Sequence, residues 1–262
     1  MATVRNIAKE RLEAGQLALG VGLRQARTVD IAKIMKTAGY DFLFIDGEHN
    51  AMSVDMAGQI SNAAQDAGIT PIVRVPGFQH FHASRALDAG AQGIVVPHVD
   101  TAEIAAQMVD HCRYPPQGHR SVTGALPQID FATLPMAEAT AAINAATLVV
   151  VMLETPLAID NLEAIAAVPG LDVLLVGAND FCMEMGLPGQ LDHPRVVDAF
   201  ERIVAACRAN GKYAGLGGVY TPPLIERYVA MGFRFILAGS DLSFMMAAAK
   251  ERAAAVRAMG PS

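Results

Sequence analysis

The chain has 262 residues, of which 52% are hydrophobic and 18% charged, with a formal net charge of -6. That much apolar material in that length is enough for one large core and excludes a disordered chain, so a single domain over residues 1–262 is expected. Scattered Lys and Arg at a pI near 5.6 leave no electrostatic driving force toward nucleic acid or an anionic membrane. In chain order, residues 1–15 interrupt their apolar positions with Arg5, Lys9, Glu10, Arg11 and Glu13. They therefore read as an amphipathic helix rather than a signal peptide. No later run approaches the ~18 apolar residues of a spanning helix. Cys112, Cys182 and Cys207 have neither CxxC spacing nor scaffold density. A soluble cytoplasmic protein is expected.

Eight short apolar runs follow, at 18–23, 42–46, 71–75, 93–97, 148–154, 173–177, 213–217 and 233–239. Each is rich in Val, Ile, Leu or Phe, as parallel strands buried on both faces require. Between them lie alanine-rich amphipathic stretches such as 54–67 and 194–210, with Gly or Asn near several helix ends. Eight alternations predict an α/β fold, a closed (β/α)8 TIM barrel. A doubly wound open sheet is the competing architecture, but no GxGxxG follows the first strand. The N-terminal helix is expected to cover the bottom of the barrel. The longest connection, 99–147, predicts helices at 102–112 and 136–145 around a Pro- and Gly-containing turn at 114–118. It reads equally as a lid, an oligomer contact or an ordinary crossover. A final alanine-rich helix spans 244–259.

Barrel chemistry sits at the C-terminal ends of strands, where the βα loops converge. That rule selects Asp46, Glu48 and His49 after strand two, Arg74 on strand three, His98 after strand four, Glu154 after strand five, and Asn179 and Asp180 after strand six. Glu154 and Asp180 are 26 residues apart, about one β/α repeat, so they should project from neighbouring strands. Two carboxylates leave coordination positions for water and substrate, as Mg2+ or Mn2+ sites usually do. Helix capping or pairing with arginine is the structural alternative. His49, lifted by the turn at Gly47, is a candidate general base, and Asp88 could orient it. Arg74 in an apolar strand needs an anion, either a substrate oxyanion or Asp46 or Glu48. Backbone N–H groups at Gly177, Ala178 and Asn179 could receive a carboxylate. His80 and His82 read as surface residues. Cys182 and Met183 read as filler, and His98 as either a substrate contact or a packing residue. Lys9, Lys33, Lys36, Lys212 and Lys250 all fall in helix or pre-strand positions, which argues against a Schiff-base lysine.

The segments FIDGEHNAMS (44–53), PIVRVP (71–76), LDAGAQGIVVPHV (87–99), VMLETPLAIDN (151–161) and LLVGANDF (174–181) together resemble the HpcH/HpaI family of metal-dependent pyruvate aldolases. The likeness runs in order over nearly the whole chain. It implies reversible cleavage of 4-hydroxy-2-oxo acids to pyruvate, or a related 2-oxo acid, and an aldehyde through a metal-stabilised enolate. It also implies Mg2+, Mn2+ or Co2+ as cofactor and a homo-oligomer, specifically a hexamer. By the same resemblance His49 is the catalytic base, Arg74 stabilises the transition state, Asp88 raises the basicity of His49, and Glu154 and Asp180 bind the metal. The backbone from Gly177 to Asp180 meets the pyruvate carboxylate. Two positions depart from the common pattern: Met152 stands where many members have glutamine, and Gly177-Ala178-Asn179-Asp180 replaces Gly-Pro-Ala-Asp. Rival readings are an oxaloacetate decarboxylase or CoA-ester lyase of the same superfamily and, more remotely, a noncatalytic metabolite-binding oligomer.

Overall fold

A computed structural model describes residues 4–260. Eight parallel strands close into a barrel in sequence order: β1 (Ala18–Leu23), β2 (Phe42–Asp46), β3 (Thr70–Arg74), β4 (Gly93–Val96), β5 (Leu148–Leu153), β6 (Val173–Gly177), β7 (Tyr213–Gly217) and β8 (Phe235–Ser240). β1 pairs with both β2 and β8, so no sheet edge remains open. The expected strands are all present, with ends moved by one or two residues at β3, β4, β5 and β8.

Strand alternation divides the apolar residues into two cores. The inner one fills the barrel with Phe42, Phe44, Ile72, Val95, Val150, Met152, Leu175 and Phe235, and the Phe42 and Phe235 rings stack at 4.2 Å. The outer one packs Leu43, Ile45, Ile94, Val149, Val151 and Leu174 against the helices. The N-terminal helix Ile7–Glu13 presses Ala8 and Leu12 into the inner core from below. It is fixed there by Asn6, whose amide donates to the carbonyls of Gln92 (3.1 Å) and Ala146 (2.7 Å). The expected bottom cover is therefore present.

Side-chain oxygens set several helix starts. Ser53, Thr101, Thr155 and Ser240 accept from the N–H of Met56, Ile104, Ala158 and Ser243, respectively. Each such cap is worth about 1 kcal/mol.

The long crossover holds the expected helices, Ala102–Cys112 and Met136–Ala146, joined through a 3-10 turn, Pro127–Ile129. Arg113 ties it down by donating to the carbonyls of Gly170 (2.8 Å) and Asn144 (2.7 Å) and to Asp172 (2.6 Å). Gln128 donates to the carbonyls of Leu87 and Ala91. All these partners precede strands, so the crossover is anchored beneath the barrel and is no lid over its mouth. The C-terminal helix Asp241–Arg257 leaves the barrel with no buried residue. No helix among the described residues is long and apolar enough to cross a membrane.

Candidate active site

A cavity of about 170 Å³ opens at the C-terminal ends of the strands, lined by Asp46, His49, Arg74, Met152, Gly177, Ala178, Asn179 and Asp180 among others. Its floor is Phe44, Met152 and Leu237, the top of the inner core. Glycines line the side formed by β7, β8 and β1, at Gly217, Gly218, Gly239 and Gly22, and leave it open.

Arg74 is committed to carboxylates and still partly free. Its Nε and Nη2 donate to the two oxygens of Asp46 at 2.9 and 2.7 Å, a bidentate pair in which both residues are buried. Nη1 lies 2.7 Å from Glu48 Oε2, yet that oxygen has no aligned hydrogen bond. The contact is thus an ion pair with poor hydrogen-bond geometry. The other neighbour of Nη1 is Met152 Sδ at 3.9 Å, so an N–H of this nitrogen remains able to serve a ligand oxygen. Burial pushes the Asp46 carboxyl up, but pairing with Arg74 and the N–H groups of Glu48 and His49 outweigh it and hold the group below its ordinary value.

Gly47 acts through close approach. Its N–H donates to the Arg74 carbonyl at 2.9 Å, and a Cβ there would stand 2.7 Å from the same oxygen. The β2 tip is thereby bound to β3, and His49 projects half-exposed into the cavity. Its Nε2 is 3.7 Å from Glu48 Oε2, beyond hydrogen-bond reach.

Glu154 is 2% exposed and accepts the His98 backbone N–H at 2.8 Å. His98 reaches this position with φ of 53°. Its ring stands between Glu154 and Glu48, at 3.3 and 3.4 Å, outside the cavity lining. Burial pushes the Glu154 carboxyl up; the N–H and ring of His98 oppose this, while the negative charges of Asp180 and Glu48 add to it. The β5 and β6 tips meet closely: a Cβ on Gly177 would lie 2.4 Å from Glu154 Oε1. β6 runs directly into the helix Ala178–Glu184, whose first turn carries Asn179 and Asp180, both exposed. N–H groups in a first helical turn have no intrahelical acceptor.

The mouth therefore gathers four acids, Asp46, Glu48, Glu154 and Asp180, around one buried arginine. A buried carboxylate disfavoured in its charged form, beside an orphaned Glu48 oxygen and a further acid, is the environment a cation would relieve. Among the described residues, no group of three or more His, Cys, Asp or Glu forms a ready-made metal cluster. A cation here would take two carboxylates and fill its remaining positions from water or ligand, as hard divalent ions do.

Asp88 is not brought to His49. It ends the helix His80–Asp88 and pairs with Arg120 at 2.6 Å; the Arg120 side chain is fully buried and lies over the Tyr114 ring at 4.5 Å. The expected pairing fails within this chain because the helix leading into β4 descends outside the barrel, away from the mouth. His80 and His82 lie on that same helix, off the cavity. None of the five lysines lines the cavity, and Lys212 Nζ donates to the Leu171 carbonyl ahead of β6. Burial pushes the Cys182 thiol up, and pushes Cys112 and Cys207 up to about 12, so the cysteines are poor nucleophiles. The sequence reading missed Arg24, Tyr220 and Ser240, which complete the rim after β1, after β7 and at the last residue of β8. Their only signal was position just beyond a strand.

Comparison with known proteins agrees with this fold. Residues 24–248 match the HpcH/HpaI aldolase/citrate lyase family. A 4-hydroxy-4-methyl-2-oxoglutarate aldolase of Chaetomium globosum is 38% identical, covering 98% of this chain and 96% of that one. A 2-keto-3-deoxy-L-rhamnonate aldolase of Escherichia coli is 34% identical, covering 97% and 94%. The crystal structure of an HpcH/HpaI aldolase from Desulfitobacterium hafniense superposes with a TM-score of 0.91 at 27% identity, covering 97% of each chain. A closed barrel with an acid-rich mouth and no lysine in its cavity, matched along nearly its full length by these relatives, is an aldolase and belongs to the HpcH/HpaI aldolase/citrate lyase family.

Proposed function

We propose that this aldolase reversibly cleaves 4-hydroxy-2-oxo acids to a 2-oxo acid, pyruvate in the simplest case, and a second carbonyl compound, with a divalent cation at the barrel mouth. The observation that carries the reading is the excess of carboxylate over arginine around the cavity, with buried Glu154 facing Asp180. Glu154 and Asp180 would hold the cation, and Mg2+, Mn2+ or Co2+ suits their oxygen donors. Bound there, it would act as a Lewis acid toward a developing enolate oxygen, a contribution of several kcal/mol.

The residues of the chain supply the rest. N–H groups at the start of the helix Ala178–Glu184 orient the 2-oxo acid carboxylate. His49 takes the proton of the 4-hydroxyl group at Nε2, and Glu48 Oε2, 3.7 Å away, stabilises the imidazolium that results. The C3–C4 bond then breaks. Its electron pair passes into the enolate of the 2-oxo acid, and the former C4 leaves as a carbonyl. Arg74 Nη1 donates to the oxygen on C4, where negative charge builds up as the proton leaves. Protonation of the enolate at C3 completes pyruvate. Met152 has no donor to offer a ligand, its Sδ instead accepting from Arg74 Nη1 at 3.9 Å, so the ligand is oriented from the Arg74 and Ala178 sides.

A homo-oligomer is part of the proposal, with hexamer as the specific expectation. The helix Asp241–Arg257 exposes Phe244, Met245, Met246 and Val256 and has no fully buried residue within the chain. A monomer by light scattering would refute this element alone. The reaction is tested by pyruvate methyl-proton exchange in D2O, followed by NMR. Exchange should stop on chelation and return with Mg2+, Mn2+ or Co2+. Undiminished exchange in rigorously metal-free protein would overturn the reading.

A further inference from the structure

His98 has no part in the chemistry described above, yet its backbone is strained toward the site. Its φ of 53° is left-handed, a conformation that is unfavourable for a residue carrying a Cβ. The other non-glycine residues of positive φ among those described, Ala125, Asp130 and Phe131, all lie in the long crossover and off the mouth cavity. Such strain persists only where the surroundings over-determine it. Here they do. The Val99 N–H donates to the Met152 carbonyl at 3.1 Å, the Thr155 hydroxyl donates to Asp100 Oδ1 at 2.5 Å, and the Asn161 amide donates to the Asp100 carbonyl at 2.9 Å. The chain just after His98 is thereby locked onto β5 and the helix Pro156–Asp160, the two elements that flank Glu154.

The locked backbone aims two groups at the acids. The His98 N–H donates to Glu154 Oε2 at 2.8 Å, while ring Nδ1 lies 3.3 Å from that same oxygen and ring Nε2 lies 3.4 Å from Glu48 Oε1. The other Glu154 oxygen, Oε1, faces the β6 tip, where Gly177 has no Cβ to obstruct it. Glu154 is therefore held by Oε2 from the β4 side and left open by Oε1 toward the strand that leads to Asp180. The ring also separates two acids whose charges oppose each other. Packing does not account for the imidazole, because the side chain is 56% exposed and buries little apolar surface. Substrate contact does not account for it either, because the ring lies outside the cavity lining.

We infer that His98 is a positioning residue of the aldolase site, fixing Glu154 in one orientation and spacing it from Glu48, so that the carboxylate meets the cation already aligned. This rests on the cation reading above and adds to it the residue that prepares the ligand. His98 acts through Glu154 and not on the bond that breaks.

The test compares the full chain with His98→Gly and His98→Asn. Glycine and asparagine accept the left-handed backbone and keep the N–H, so each removes the ring alone. Mn2+ affinity by isothermal titration should fall about 10- to 100-fold in both, the range for lost support of a metal ligand. The Tm of the metal-free protein should hold or rise, because backbone strain is relieved while little packing is lost. Affinity and stability would thus part company, which a merely structural role does not produce. Mn2+ affinity within about threefold of wild type in either variant would overturn the inference, as would a Tm that falls in step with affinity. The wild-type titration separates the two levels. Mn2+ bound equally by wild type and variants removes the role of His98 alone, whereas a wild type that binds no Mn2+ removes the cation reading beneath it.

Discussion

Gly177→Ala should disturb the proposed cation site without touching a charged group. A Cβ at this position would stand 2.4 Å from Glu154 Oε1, 2.7 Å from its Cγ and 3.0 Å from its Cδ. Carbon atoms pack at about 3.5–4.0 Å, so the whole carboxylate would have to shift by about 1 Å. Glu154 has little room for this, being 2% exposed and held by the His98 N–H at 2.8 Å. Overpacking of this kind costs about 1–3 kcal/mol. For a domain of this size that is a fall in Tm of roughly 2–12 °C. Displacing a ligand carboxylate should also weaken Mn2+ binding by about 10- to 100-fold, the range seen when the support of a metal ligand is lost. Scanning calorimetry and isothermal titration with Mn2+ measure the two effects. Gly124→Ala, where an added Cβ meets nothing within 4 Å, is the control. If Gly177→Ala matched that control in both Tm and Mn2+ affinity, the packing of the β5 and β6 tips would not be what positions Glu154.

Arg74→Ala should cost stability as well as activity, because it strands buried Asp46 beside Glu48; breaking such a pair costs about 3–5 kcal/mol. The low carboxyl pKa of Asp46 gives the wild type stability that is present at neutral pH and lost as pH falls through that depressed value, below about 4. In the variant only the N–H groups of Glu48 and His49 are left to oppose burial, so the balance shifts toward protonated Asp46. The gap in urea stability should therefore be wide at pH 7 and narrow as pH falls below about 4, and a pH-independent gap would contradict the pairing argument. His49→Ala should lower aldol cleavage by about 10²- to 10⁴-fold. Oxaloacetate decarboxylation, which has no hydroxyl proton to remove, should fall far less; equal losses would argue against His49 as the base. Asp88→Asn should destabilise by about 1.5–3 kcal/mol through the buried Arg120 and leave the pH profile of kcat/KM in place. A shifted profile would restore a catalytic role to Asp88.

The barrel was legible because its strands are buried on both faces and read as unbroken apolar runs, such as LVVVML in β5. The spacing of Glu154 and Asp180 was legible for the same reason, since one β/α repeat separates neighbouring tips. Arg74 was foreseen as either a substrate contact or a partner of Asp46 and Glu48; the geometry pairs it with both acids and leaves Nη1 partly free. The misplacement of Asp88 has a tertiary cause. Its partner Arg120 lies 32 residues away in an irregular segment, and no periodicity relates the two. Arg24 and Tyr220 went unnoticed because an arginine or tyrosine after a strand is ordinary surface until closure of the ring makes that position a rim. The open ends of β7, β8 and β1 were hidden similarly, because their glycines form a wall only when the strands are adjacent.

The central claim is that Glu154 and Asp180 grip one divalent cation together, and Mn2+ binding followed by the EPR signal of the free ion tests it most directly. Wild-type protein should bind Mn2+ at one site per chain, and Glu154→Gln and Asp180→Asn should each weaken that site at least tenfold while the fold, monitored by circular dichroism, is kept. Wild-type affinity in either folded variant would contradict the shared site and the chemistry built on it.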